Sequence, residues 1–386
     1  MVTVFTPVYN RAYIIHQLYQ SLLRQTVYDF EWLIVDDGST DNIEELVSGW
    51  IACTRKFTIR FYRQLNGGKH RAVNRGVCLA KGDAFLIVDS DDYLTDDAIS
   101  TVAKYWGQIK DNPKFAGIAG LRMHEDMQVI GGKPYFDEYV DATNLDRGKH
   151  GLEGDKAEVY KTDVLKAFPF PEFEGEQFVT EAVVWNKIAY CGYEIRWFNK
   201  GIMICDYLGD GLTAKGASLF VQNPKGWAEY LRSERIYRAW SDHFYRWQCY
   251  QYYEAEHLCM GTDDMMELLG LDAKEMREIE SSYLDLIQRI AELCRDKRIC
   301  IYGYGAWGKR LKRHLDERNI PIEYIIDQQC TDTGGIARYT PEGVLPEVDI
   351  VLVALKKGAD EVISILKGKL ERSRMVKMQE IVGEWW

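Results

Sequence analysis

The chain of 386 residues is poor in proline, with nine, and has no low-complexity tract, which excludes a disordered or linker-dominated protein. It lacks any run of 18 apolar residues, the length a membrane span requires, and residues 1–5 carry neither the basic region nor the long apolar stretch of a secretory signal. A cytoplasmic location without a transmembrane segment is therefore expected, with attachment at the inner face of a membrane left open. Positive charge is short as well. The 48 Lys and Arg residues face 59 Asp and Glu, for a net charge of −11, so a nucleic-acid partner is not expected and an anionic ligand has to be held by a local cluster or a cation. The nine cysteines, at 53, 78, 191, 205, 249, 259, 294, 300 and 330, include no CxxC pair, which argues against a zinc site or a disulfide framework. Cys300, between Ile299 and Ile301, reads as a small core hydrophobe. What is present is 46% hydrophobic and 28% charged, enough for folded cores, and the length predicts two or three domains.

Three short apolar runs mark the first hundred residues: Val2 to Phe5, Trp32 to Val35 and Phe85 to Val88. Each is rich in β-branched or aromatic residues and ends in polar or turn residues, while Ile14 to Leu23 has the three-and-four spacing of a helix. The pattern predicts βαβ units and a parallel sheet. Ligands of such sheets sit beyond the carboxyl ends of the strands. The clusters Thr6-Pro7-Val8-Tyr9-Asn10, Asp36-Asp37-Gly38-Ser39-Thr40-Asp41 and Asp89-Ser90-Asp91-Asp92 should accordingly share one rim. Residues 121–173 read as loops and short strands able to cover that rim, and a helix is predicted near 176–190. From 223 to 297 the chain is helical in character, with Trp227, Tyr230, Tyr237, Trp240, Phe244 and Trp247 recurring at helical spacing as core, the alternative being a face that stacks on sugars or lies at a membrane surface. A second βαβ signal starts at 298. The expected division is 1–215, a helical segment 216–296, and 297–386.

Asp89 and Asp91 stand two apart at a strand end, where a turn can aim both at one cation, or at one cation and a ribose. Hard carboxylate oxygens suit Mg²⁺ or Mn²⁺, which takes its remaining ligands from water and substrate phosphate. The plainer alternative is that Asp91 or Asp92 caps the helix starting near Thr95. Asp37 can accept from a uracil imide or from ribose hydroxyls, or the whole Asp36 to Asp41 block can be a turn and cap for the helix from Ile43. Between them, Asn66-Gly67-Gly68-Lys69-His70-Arg71 combines close backbone approach with positive charge suited to a nucleotide, or forms a solvated basic turn.

These clusters, with Lys81-Gly82-Asp83, stand in the order and spacing of family 2 glycosyltransferases, which this sequence resembles over residues 1 to about 100 and more thinly to about 215. The resemblance implies an α/β GT-A domain, a mixed and mainly parallel sheet flanked by helices. It also implies inverting transfer of a sugar from a nucleotide-diphospho-sugar donor, most often a UDP-sugar, to a saccharide or lipid-linked saccharide acceptor in surface polysaccharide or glycoconjugate assembly, with Mn²⁺ or Mg²⁺. By position, Thr6, Pro7 and Tyr9 would pack around the base, Asp37 would bind uracil or ribose, and Lys69, His70 and Arg71 would lie near the nucleotide. Asp89 would hold ribose or sugar, and Asp91 the metal. The general base would be Glu181, ahead of Ala182 to Ala189, with Glu174 and Glu176 as alternatives. Thr213 or Lys215 would touch the diphosphate, or belong to a plain turn.

In the last segment, Gly303, Gly305 and Gly308 lie between a predicted strand and helix, and Asp327 follows nineteen residues after Gly308. This satisfies the context of a dinucleotide fingerprint. It resembles the small Rossmann-like domain appended to sugar-modifying transferases, so a nucleotide or dinucleotide at this domain and a structural or assembly role both stand. An NAD-dependent sugar oxidoreductase or a nucleotide-sugar-binding sensor is the corresponding alternative function.

Overall fold

The computed structural model describes residues 1–205, 211, 216–330, 332–355 and 357–382. Its contacts divide the chain into two units, one formed by 1–248 and 255–270, the other by 249–254 and 271–386. The helical segment expected over 216–296 is thereby split. The aromatic helix Pro224–Tyr237 belongs to the first unit, and the long helix Ala273–Cys294 to the second.

The first unit is built on β1 (Val2–Val8), α1 (His16–Leu23), β2 (Phe30–Asp36), α2 (Ile43–Cys53), β3 (Thr58–Arg63), α3 (Lys69–Leu79), β4 (Ala84–Ile87), β5 (Tyr93–Leu94), α4 (Ala98–Ile109), β6 (Phe115–Met123), β7 (Tyr139–Ala142), β8 (Lys156–Lys161), α5 (Thr162–Ala167), α6 (Ala182–Tyr190) and β9 (Glu194–Ile204). The strands form one nine-stranded sheet in the order β3-β2-β1-β4-β8-β6-β9-β5, with β7 beside β9. Strands β3, β2, β1 and β4 are parallel to one another, whereas β8 joins β4 and β6 antiparallel, giving the mixed sheet that the family resemblance implies.

Helices cover both faces, which is why the central strands read as unbroken apolar runs. All seven residues of β2 are buried. Successive side chains alternate between two cores, Val4 and Trp32 packing with α1, α2 and α4, and Phe5 and Leu33 with α3, α5 and α6. Parallel register places Val8 beside Asp36 and Phe5 beside Ile87, so the carboxyl ends of β1, β2 and β4 lie along one edge. The three polar clusters do share one rim.

The second unit carries an all-parallel sheet in the order β12-β11-β10-β13-β14, from Ile299–Tyr302 (β10), Tyr324–Ile326 (β11), Ala337–Tyr339 (β12), Ile350–Val353 (β13) and Arg374–Lys377 (β14). The helix Ala306–Glu317 follows β10, as the glycine pattern predicts.

Candidate functional site

Residues at the strand ends, the start of α3 and the segment leading into α6 enclose a cavity of about 870 Å³, within the range of small-molecule sites. Pro7, Tyr9, Asp37, Lys69, His70, Asp89, Asp91 and Glu181 all line it. Thr6 does not. β1 continues through Val8, which puts Thr6 inside the strand, fully buried, with its hydroxyl accepting from the Trp32 indole N–H at 3.0 Å. Arg71 is also absent from the wall. Its guanidinium donates to the carbonyls of Gly67, Phe173 and Glu176 and reaches Glu172, so it ties the 170–177 segment to α3.

The Asp36 to Asp41 block is used mainly in folding. Asp36 accepts from Ser39 N–H, Asp41 from Ala12 N–H, and Ser39 Oγ from Asn10 N–H, which clasps the first two loops together. Asp37 is buried and accepts from Gln64 Nε2 at 2.8 Å, Gly67 N at 3.0 Å and Gly68 N at 2.7 Å. Three of a carboxylate's four lone-pair positions are filled, and one remains for a ligand. Gly68 is required by this clasp. Its φ is +95°, and a Cβ would stand 1.8 Å from the Gln177 carbonyl oxygen.

With α3 fixed by these contacts, the Lys69 ammonium is held between two carboxylates, 2.6 Å from Asp89 Oδ1 and 3.0 Å from Glu181 Oε1. Burial works against its charge, but the two anions outweigh that and raise its pKa above the ordinary lysine value. Asp89 is affected in the opposite sense, burial opposing its charge while Lys69 and Arg122 hold it below the usual carboxylate range. His70 is 3% exposed, with no hydrogen-bond partner at either ring nitrogen, and burial followed by the Arg71 charge lowers its pKa to about 4. The run Lys69-His70-Arg71 is therefore not a patch of free positive charge: one cation is paired, one ring is neutral, and one guanidinium is engaged by carbonyls.

Asp91 makes no side-chain hydrogen bond or ion pair with another described residue, and burial together with the Asp89 charge raises its pKa. It caps nothing. The first turn of α4 is entered through Asp97, and Asp92 pairs with Arg122 at 3.4 Å. A desolvated, unpaired carboxylate beside a second acid is what a cation-binding position requires, and Mg²⁺ or Mn²⁺ commonly uses only one or two carboxylates with substrate phosphates. Among the described residues there is no group of three or more His, Cys, Asp or Glu side chains placed to hold a metal, so substrate oxygens would complete the ligand set.

Of the three acids considered for the base, Glu181 alone lines the cavity. Glu176 is buried and caps the helix Pro224–Tyr237 through Lys225 and Gly226 N–H, while Glu174 is exposed outside the wall. Glu181 immediately precedes α6, and its carbonyl accepts the first bonds of that helix from Val184 and Trp185. Thr213 and Lys215 lie outside the described residues.

The wall also includes residues that no motif marked. Arg122 and Glu158 come from β6 and β8, and burial raises the Glu158 pKa to about 7 despite Arg122 and Arg147 nearby. Asn144 donates to Asn186 at 2.7 Å, and Asn186 to the buried Glu234. Strand pairing and helix packing, not local sequence, assemble these groups.

In the second unit, Gly303 has φ of +83°, and a Cβ on Gly308 would meet the Gly303 carbonyl at 2.1 Å, so these two glycines allow the turn and the close seat of its helix. Gly305 faces open space. Asp327 accepts from the N–H groups of Tyr304, Gln329 and Cys330 at 2.7 to 2.8 Å, which hold it below the usual carboxylate range against the effect of burial. It pins the glycine turn to the end of β11.

Comparison with known proteins bears on the first unit. The sequence profile of glycosyl transferase family 2 matches residues 3–123. This segment is similar to family 2 glycosyltransferases. Over 102 residues the chain is 32% identical to the glycosyltransferase GlyG of Streptococcus pneumoniae, covering 26% of this chain and 34% of GlyG. It is 38% identical over 104 residues to a chondroitin synthase of Pasteurella multocida, covering 27% of this chain and 11% of that enzyme. The match thus spans about a third or less of these relatives. Among solved structures, Staphylococcus aureus TarS in complex with UDP-GlcNAc aligns over 73% of this chain and 91% of its own, with 18% identity and a TM-score of 0.48. No helix among the described residues is long and apolar enough to cross a membrane.

Proposed function

We propose that the chain is an inverting glycosyltransferase that moves a sugar from a nucleotide-diphospho-sugar to an acceptor hydroxyl, with UDP as the first nucleotide to test and a saccharide or lipid-linked saccharide as acceptor. The observation that carries this reading is the convergence, at the carboxyl ends of parallel strands in a domain similar to family 2 glycosyltransferases, of unpaired Asp91, paired Asp89 and wall residue Glu181 around Lys69. The chondroitin synthase match supports a role in polysaccharide or glycoconjugate assembly.

In this reading the acceptor oxygen forms its bond to the anomeric carbon on the face opposite the diphosphate. The carbon–oxygen bond to phosphate breaks, its electron pair leaves on the nucleotide, and Glu181 takes the acceptor proton. Asp91 would hold Mn²⁺ or Mg²⁺, which when bound neutralises charge on the leaving diphosphate. Asp37 fixes the loop at the nucleotide end and has one lone pair left for the base or ribose, beside Pro7 and Tyr9. Lys69 balances the carboxylates so that the anionic donor can approach.

The test is thermal unfolding of the full chain with UDP, GDP or NAD, each with and without Mn²⁺, for the wild type and Asp91→Ala. A ligand at 100 times its Kd adds about 2.7 kcal/mol. A Mn²⁺-dependent nucleotide shift that the variant loses supports the reading. Stabilisation by NAD alone would instead favour the oxidoreductase alternative centred on Gly303 to Asp327.

A further inference from the structure

The imidazole of His70 is a buried polar ring for which the reaction above has no use. It is 3% exposed, neither nitrogen has a hydrogen-bond partner, and it lines the cavity. Leaving such a group unsatisfied is unfavourable, so a native structure that keeps one in a binding cavity calls for a ligand to complete it.

Its position is narrowly set. The preceding residue but one, Gly68, is bound to Asp37, and Lys69 is bound to Asp89 and Glu181. His70 thus enters the first turn of α3 directly after two residues held in place, Gly68 through its backbone and Lys69 through its side chain. Val73, one turn further along the helix, also lines the cavity. The charged groups that act on the ring are Arg71 and Glu172, which places His70 towards the 170–177 segment of the wall, while Pro7, Tyr9 and Asp37 mark the nucleotide end of the same cavity.

The chemistry of the ring narrows the ligand. A neutral imidazole offers one N–H donor and one lone pair, and burial beside Arg71 keeps this ring neutral at physiological pH. Phosphate oxygens only accept, so they would use one nitrogen and favour a charged ring. Sugar hydroxyls both donate and accept, and neighbouring hydroxyls can use both nitrogens.

We propose that His70 hydrogen-bonds the hydroxyl groups of the transferred sugar and so helps to choose which sugar is donated. This rests on the transferase reading and adds to it a residue that reads the sugar, not the nucleotide.

The experiment is calorimetric binding in Mn²⁺ to the full chain, using UDP, GDP, UDP-GlcNAc, UDP-glucose and GDP-mannose, for the wild type, His70→Ala and His70→Gln. For the nucleotide-sugar that the wild type binds, His70→Ala is expected to weaken affinity at least tenfold while Kd for the matching free nucleotide stays within threefold. His70→Gln, which keeps a donor and an acceptor, should recover part of the loss. A deoxy-sugar donor lacking the contacted hydroxyl should bind the wild type about tenfold more weakly and be insensitive to His70→Ala. Retained nucleotide binding shows that the variants are folded. Equal weakening of nucleotide and nucleotide-sugar, or no change in either, would overturn the proposal. Failure of the wild type to bind any of the five would overturn the transferase reading and this inference with it.

Discussion

The ammonium nitrogen of Lys69 stands 3.0 Å from Oε1 of Glu181, and the contact joins the first turn of one helix to the residue preceding another. Both groups are partly shielded from water, so the pair is screened less than a surface one. The same ammonium holds Asp89, which makes it the counter-ion of two acids in a site proposed to take an anionic donor. Replacing it with methionine leaves those acids facing the incoming diphosphate. Hydrogen bonds to charged groups contribute about 1.5–3 kcal/mol, so Lys69→Met should weaken donor use roughly 10- to 100-fold. Lys69→Arg should recover only part, because a planar fork cannot sit as one point between two carboxylates. Steady-state kinetics with varied donor concentration checks this, and an unchanged kcat/KM would remove Lys69 from the site.

Glu181→Gln keeps the size of the side chain and the main-chain bonds that start α6, but removes the carboxylate proposed as proton acceptor. Transfer should fall by about 10²–10⁴, the ordinary contribution of a general base. Nucleotide binding should persist, since the change falls at the reacting end. A variant with near wild-type turnover would return the base to another acid on the wall, and Glu158 would be examined first.

Gly68→Ala is expected to act on folding before it acts on chemistry. The position has φ of +95°, and the added methyl group would meet the Gln177 carbonyl, a backbone atom without a flexible end to move aside. The collision also loosens the Gly68 N–H bond to Asp37. A loss of about 3 kcal/mol follows from strain and steric overlap together, equivalent to a fall in Tm of roughly 6–12 °C for a unit of this size. Scanning calorimetry of the full chain decides it. An unchanged transition would mean that the 64–68 loop and the 170–177 segment part easily, and that the nucleotide end is not held as described.

How much of this was legible in the sequence follows from where each partner lies. β1, β2 and β4 announce themselves because a strand covered on both faces has to be apolar throughout, and their polar ends then fall on one rim without further information. Asp91 was legible for the same reason. Thr6 and Arg71 fall outside the cavity wall because strand length and distant partners decide them: Trp32 takes the hydroxyl, and the carbonyls of Phe173 and Glu176 take the guanidinium. Arg122 and Glu158 carry no local signature at all. They meet through the antiparallel pairing of β6 with β8, in which Ala119 lies opposite Glu158. The boundary expected at 296 was read from the end of helical character and the start of a second βαβ signal, whereas packing assigns helix Ala273–Cys294 to the second unit.

That second unit contains a buried acid that the sequence did not mark. Glu254 is 2% exposed and is surrounded by Arg310, Arg313 at 2.8 Å and His314 Nε2 at 2.9 Å. Burial alone would push the carboxyl group up, but His314 and Arg310 outweigh it and hold the pKa at about 2, against an ordinary glutamate value of 4.5. A folded-state pKa below the unfolded value means that the contribution is complete above about pH 4.5 and is lost as pH falls toward 2. The difference corresponds to about 3 kcal/mol at neutral pH. Glu254→Gln should lose at least that much at pH 7, because two arginines then face each other without their anion. It should also show a flatter decline in stability between pH 5 and 3 than the wild type. Calorimetric unfolding of both full-length proteins across that range is the measurement. Parallel pH curves would show that the cluster does not link folding to protonation, and that the unit is held by its apolar sheet core alone.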